Sequence, residues 1–137
     1  MIKHRLFSVF ALFLLLPAFA GYAEKTQDNL YTSCRQLNEG EVYDGLNTYR
    51  CFFIKQNIRG VYSRYRNDFY QPDDLKKSLP AKDMTYQTAD AKIRYHWLSP
   101  GKLEITVTHR VAIEEYRYLF TEKQDGTVLD IEAETGY

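Results

Sequence analysis

The chain has 137 residues and an even balance of 18 basic and 18 acidic side chains, with 45% apolar residues. That balance excludes a general nucleic-acid binder, which needs a basic footprint against phosphate. The length suits one domain with its own core, and tyrosine is abundant, with 12 residues; its apolar ring and polar tip serve half-buried strands and binding surfaces alike.

The first segment reads as an export signal. Lys3, His4 and Arg5 form a basic start, and Leu6 to Leu16 is apolar except for Ser8. Such a run is too short for a membrane-spanning helix, which needs about 20 residues. Pro17 ends it, and Ala18-Phe19-Ala20 and Gly21-Tyr22-Ala23 each offer small residues for processing. Residues 1–23 are therefore expected to be a cleaved signal peptide, with cleavage after Ala20 as the alternative. Residues 24–137 then form a single exported domain, periplasmic or secreted. That domain has 114 residues, 16 basic and 18 acidic, with no later segment apolar enough to span a membrane.

Two helices are predicted next. Leu30, Cys34 and Leu37 recur at i, i+4 and i+7, and Cys51, Ile54, Ile58, Val61 and Tyr65 mark the apolar face of a longer second helix. Asn38 to Gly45 reads as the turn between them. Cys34 and Cys51 are the only cysteines. An even pair in an exported chain reads as a disulfide, here expected to staple the helical hairpin. A metal site would need more ligands nearby, and a redox dithiol would favour a C-x-x-C spacing.

A polar connector, Asn67 to Asp83, follows, with a short helical turn at Pro72-Asp73-Asp74-Leu75. From Met84 the period becomes two. Ile93, Tyr95 and Trp97 alternate with Lys92, Arg94 and His96; Ser99 to Lys102 forms a turn; Leu103, Ile105 and Val107 alternate with polar partners. A second hairpin sets Tyr116, Tyr118 and Phe120 against Leu129, Ile131 and Ala133 across a turn at Lys123 to Gly126. The apolar parity shifts between Val111 and Tyr116, which implies a bulge or bend there. Met84 to Thr88 supplies a possible fifth strand. The expected class is α+β: a disulfide-linked N-terminal helical hairpin packed on a C-terminal antiparallel meander of four or five strands.

Signatures of chemistry are absent. No serine lies in a nucleophile elbow, and there is no H-E-x-x-H, phosphate loop or dinucleotide fingerprint. His96 and His109 have opposite parity relative to their strands' apolar sets, so they face opposite sides. Adjacent Glu114 and Glu115 point apart and make a poor acid–base pair. No metal or cofactor is expected. The strongest surface candidate is a cluster on the second helix: Arg59, Tyr62, Arg64, Tyr65 and Arg66. Between Asp44 and Asp68 there are five basic residues and no acid. Arginine beside tyrosine suits recognition of a partner. The acidic complement, Glu122, Asp125, Asp130, Glu132 and Glu134, lies near the C-terminus. The reading is a non-enzymatic envelope protein that binds a protein partner, as inhibitor or accessory subunit. The alternative is a small-ligand or polysaccharide-binding module using Tyr and Trp97. A hydrolase with an unrecognised site ranks third.

Overall fold

The computed structural model describes residues 28–38 and 45–136. The segment expected to be an export signal, residues 1–23, and most of the turn expected between Asn38 and Gly45 lie outside the described residues. Within them the chain runs from a single 3-10 turn, Leu30–Ser33, into β1 (Cys34–Gln36) and β2 (Leu46–Ile54). The one α-helix follows, α1 (Ile58–Tyr65), and after two further 3-10 turns come β3 (Met84–Gln87), β4 (Ala91–Ser99), β5 (Lys102–His109), β6 (Glu114–Lys123) and β7 (Gly126–Thr135). All seven strands form one antiparallel sheet in the order β1-β2-β7-β6-β5-β4-β3.

This corrects the expected α+β class: there is no N-terminal helical hairpin, and the described residues are mostly one antiparallel sheet of seven strands, not four or five, with one short helix. Cys34 and Cys51, expected on two helices, sit on paired strands. The segment Leu46–Ile54 is rich in β-branched and aromatic residues, which fit a pleated surface, and it pairs with β7 along its whole length. The expected helical face of Cys51 and Ile54 is in truth an alternation. Cys51 and Phe53 point into the core, and Phe52 and Ile54 point out. Lys55, with φ 56°, breaks the chain between strand and helix. Asn57 then caps α1, its Oδ1 accepting the N–H of Gly60 at 2.8 Å. Ile58, Val61 and Tyr65 do form the buried stripe of a helix, joined by Tyr62.

The two cysteines are directly opposed in the β1–β2 register and form a disulfide. Cross-strand Cβ atoms on one face approach closely enough for such a bond. Strands β3 to β7 lie where the period-two pattern places them. The parity change before Tyr116 is the β5–β6 connection, where His109 Nδ1 accepts the N–H groups of Val111 (3.2 Å) and Ala112 (2.9 Å).

Among the described residues, only one face of the sheet is covered. Ile93, Tyr95, Leu103, Ile105, Val107, Tyr118, Phe120, Leu129 and Ile131 point toward α1 and the segment 66–80, which contributes Phe69, Leu75 and Leu79. Phe69 stacks on Tyr118 with centroids 4.6 Å apart, and Phe53 meets Tyr65 at 5.1 Å. Tyrosine hydroxyls bind the irregular segment to the sheet. Tyr118 Oη accepts the N–H of Tyr70 (2.8 Å), Tyr86 Oη donates to the carbonyl of Asp74 (2.6 Å), and Tyr95 Oη accepts the N–H of Lys76 (3.0 Å) while bonding Tyr62 Oη (2.8 Å). Burial pushes the hydroxyls of Tyr62, Tyr86, Tyr95 and Tyr118 above the ordinary tyrosine value, which keeps them neutral donors and acceptors.

Candidate functional site

The five residues expected to form a patch on the second helix do not share a surface. Tyr62 and Tyr65 are buried in the core. Arg64 pairs with Asp28. Arg66 is spent on its own neighbourhood, donating to the carbonyls of Lys76 (3.1 Å) and Leu75 (3.3 Å) and to Asn67 Oδ1 (3.0 Å). Arg59 donates one N–H to the carbonyl of Leu79 at 3.3 Å and has no other partner among the described residues. The basic run therefore works largely as a set of clamps on backbone carbonyls, groups that a charge count along the sequence does not see.

The histidines are separated as their parity implies. His96 lies on the uncovered side with Nδ1 2.8 Å from Asp83 Oδ2. The Asp83 carboxyl also accepts the N–H of Trp97 (2.7 Å), and these bonds, the Trp97 one foremost, hold it below the usual carboxylate value. His109 points to the other side and caps a turn. Glu114 and Glu115 likewise diverge: Glu114 accepts from Tyr70 Oη, and Glu115 accepts from Thr108 Oγ1 (3.1 Å). Among the described residues no group of three or more His, Cys, Asp or Glu is placed to hold a metal ion, and no helix is long and apolar enough to cross a membrane.

The prominent surface is the uncovered face of the sheet. Every outward side chain on its seven strands is exposed or half-exposed, and none is buried. Register decides how its charges meet. Arg117 sits centrally, donating to Glu104 on one side (2.8 Å) and Glu132 on the other (3.2 Å). Arg50 pairs with its cross-strand neighbour Asp130 at 2.6 Å. Two of the five C-terminal acids, Asp130 and Glu132, are thus matched within the sheet.

Two pairings break that pattern. Arg35 stands directly opposite Arg50, and Glu115 directly opposite Glu134. Like charges facing each other across a ladder are destabilising. Arg35 and Glu134 have no ion pair among the described residues, whereas Arg50 and Glu115 are held by Asp130 and Thr108. Strand spacing and rise place the two like-charge pairs about 15 Å apart. Beside the basic pair lies an apolar corner: Phe52 is 41% exposed opposite half-exposed Val128, and Ile54 is 65% exposed. The central part of the face forms a shallow depression of about 430 Å³, which includes Lys92, Arg94 and Arg117.

Sequence reasoning missed this site. Its signal was present as the polar half of each alternation, Lys92, Arg94 and His96 on one strand and Glu104, Thr106 and Thr108 on the next. What was missing was the register that places Arg35 against Arg50 and Glu115 against Glu134. No family model, curated protein or solved structure matches the chain.

Proposed function

We propose that the protein is a small, exported, non-enzymatic binding module that docks a partner protein of the cell envelope, as an inhibitor or accessory subunit, through the uncovered face of its sheet. The observation that carries the reading is the pair of like-charge contacts on that face. A surface that only had to be soluble would relieve them with a single substitution. They become favourable when a partner brings a carboxylate to Arg35 and Arg50 and a cation to Glu115 and Glu134. The exposed Phe52 and Ile54 supply the apolar contact that such a charged frame surrounds.

The test is cross-linking of the exported protein in cells, followed by titration of the purified pair. Arg35→Glu and Glu134→Lys are each expected to weaken the complex about tenfold, or ~1.4 kcal/mol. Arg64→Glu, on the helix side, is expected to leave it unchanged. A complex insensitive to both sheet-face reversals, or one lost with Arg64→Glu, rejects the reading.

A further inference from the structure

We infer that a groove on the helix side of the β4–β5 hairpin binds a carboxylate-bearing saccharide. Two depressions adjoin there. The larger, about 530 Å³, is formed by Arg59, Ala81, Trp97, Ser99 and Pro100. The smaller, about 210 Å³, includes Arg59, Ser63, Lys77 and Ser78. Arg59 belongs to both, so it stands at their junction. Neither is lined by a carboxylate.

Each component offers a distinct chemistry. Trp97 is half-buried, and its one donor is consumed internally, Nε1–H bonding the carbonyl of Pro80 at 3.0 Å. That bond fixes the indole plane, so what the ring offers outward is an apolar surface, continued by Pro100 and Ala81. Such a platform suits the C–H face of a pyranose ring and gives nothing to an ion alone. Arg59 is tethered by a single bond to the carbonyl of Leu79, and its remaining N–H donors have no partner among the described residues. A planar fork held in this way matches a carboxylate in bidentate fashion. The hydroxyls of Ser63, Ser78 and Ser99 can exchange hydrogen bonds with sugar hydroxyls, and Lys77 adds a second cation at the far end. The acid is required by Arg59 and Lys77 with no opposing carboxylate; the sugar is required by the indole platform and the hydroxyls.

This groove lies on the opposite side of the sheet from the proposed partner surface, so either can fail alone. Trp97 is the only tryptophan in the chain, and its fluorescence therefore reports on this groove directly. The oxidised protein is titrated with trigalacturonate, whose carboxylate is on the ring, and with an N-acetylmuramic acid oligomer, whose carboxylate is on a lactyl arm. Maltotriose and acetate at matched ionic strength are the neutral-sugar and simple-anion controls. A saturable change in tryptophan emission is expected with at least one acidic saccharide, and the tighter of the two identifies the source of the carboxylate. Arg59→Gln is expected to weaken that binding about tenfold, and Arg59→Lys less, because the fork is lost and the charge kept. Lys77→Gln, which breaks no side-chain hydrogen bond or ion pair among the described residues, is expected to weaken it roughly threefold, and Phe52→Glu not at all. Saturation by neither acidic saccharide, an equal response to maltotriose or acetate, or affinity unchanged in Lys77→Gln together with Arg59→Gln overturns the proposal.

Discussion

Reducing the Cys34–Cys51 bond is expected to lower the stability of the whole sheet, although the bond ties down only its shortest strand. The cysteines are 17 residues apart in sequence. Cross-linking a loop of that length removes about 10 cal/mol/K from the unfolded chain, which is ~3 kcal/mol at 25 °C. With an unfolding entropy near 2.1 cal/mol/K per residue and roughly a hundred cooperative residues, the corresponding fall in Tm is about 14 °C. Reduction without alkylation is the right perturbation, because Cys51 is fully buried and an added group there would disturb packing. Urea unfolding of the oxidised and reduced protein measures the difference, and amide exchange along β1 reports where it is felt. If reduction releases β1 while the global midpoint moves by less than about 1 kcal/mol, the bond is a local clamp and the loop-entropy argument fails.

Glu134→Lys turns a like-charge pair with Glu115 into an attractive one and is expected to raise stability by about 0.5 kcal/mol, while weakening the proposed complex; a fall in the urea midpoint would contradict the assigned register. Gly126→Ala is expected to cost about 2 kcal/mol or more, since a Cβ there would lie 2.2 Å from the Phe53 carbonyl oxygen, a backbone atom at the end of the β2–β7 ladder; a variant with wild-type stability in calorimetry rejects that contact. Alkaline pH should unfold the protein. Burial foremost, with neighbouring tyrosines and Asp68, pushes the Tyr31 hydroxyl up to about 12, and burial also raises Tyr62, Tyr86, Tyr95 and Tyr118 above the ordinary value of 10.0. The folded state then holds protons that the unfolded chain releases, so this stability is complete below pH 10 and is lost as pH rises above it. The tyrosinate absorbance of the buried hydroxyls should appear together with loss of near-ultraviolet dichroism, and complete tyrosinate absorbance at pH 10 with the dichroism intact would refute the burial argument.

The meander was legible because one face of β4, β5, β6 and β7 is buried and the other is not, so Ile93-Tyr95-Trp97 and Leu103-Ile105-Val107 carry the period of a strand in plain view. The N-terminal half was misread for the converse reason. Phe52 and Ile54 are apolar although they face outward, and they turn the alternation of β2 into a continuous apolar run that merges with the stripe of α1. Asn57 held the clue to the boundary: it is a good cap just ahead of Ile58. The candidate site was harder to see. The Arg–Tyr cluster looked unpaired because its partners are backbone carbonyls and an aspartate 36 residues away. The like-charge pairs of the uncovered face depend on strand register, which no local pattern encodes.

The strand order has a further consequence. β2 is the first long strand in the chain, and its inner neighbour is β7, the last; Arg50 and Asp130, which pair across them, are 80 residues apart. The meander from β3 to β7 can assemble by adding each strand to the one before it, but the sheet closes only when β7 arrives. Until then β2 and β6 each present a long open edge, the form of backbone most prone to pairing with another chain. The protein therefore has a single late step of assembly, and its C-terminal strand acts as the keystone. Chains that lack β7, or in which it emerges slowly, are exposed to aggregation, whereas chains in which β7 has docked are protected along both of these edges at once.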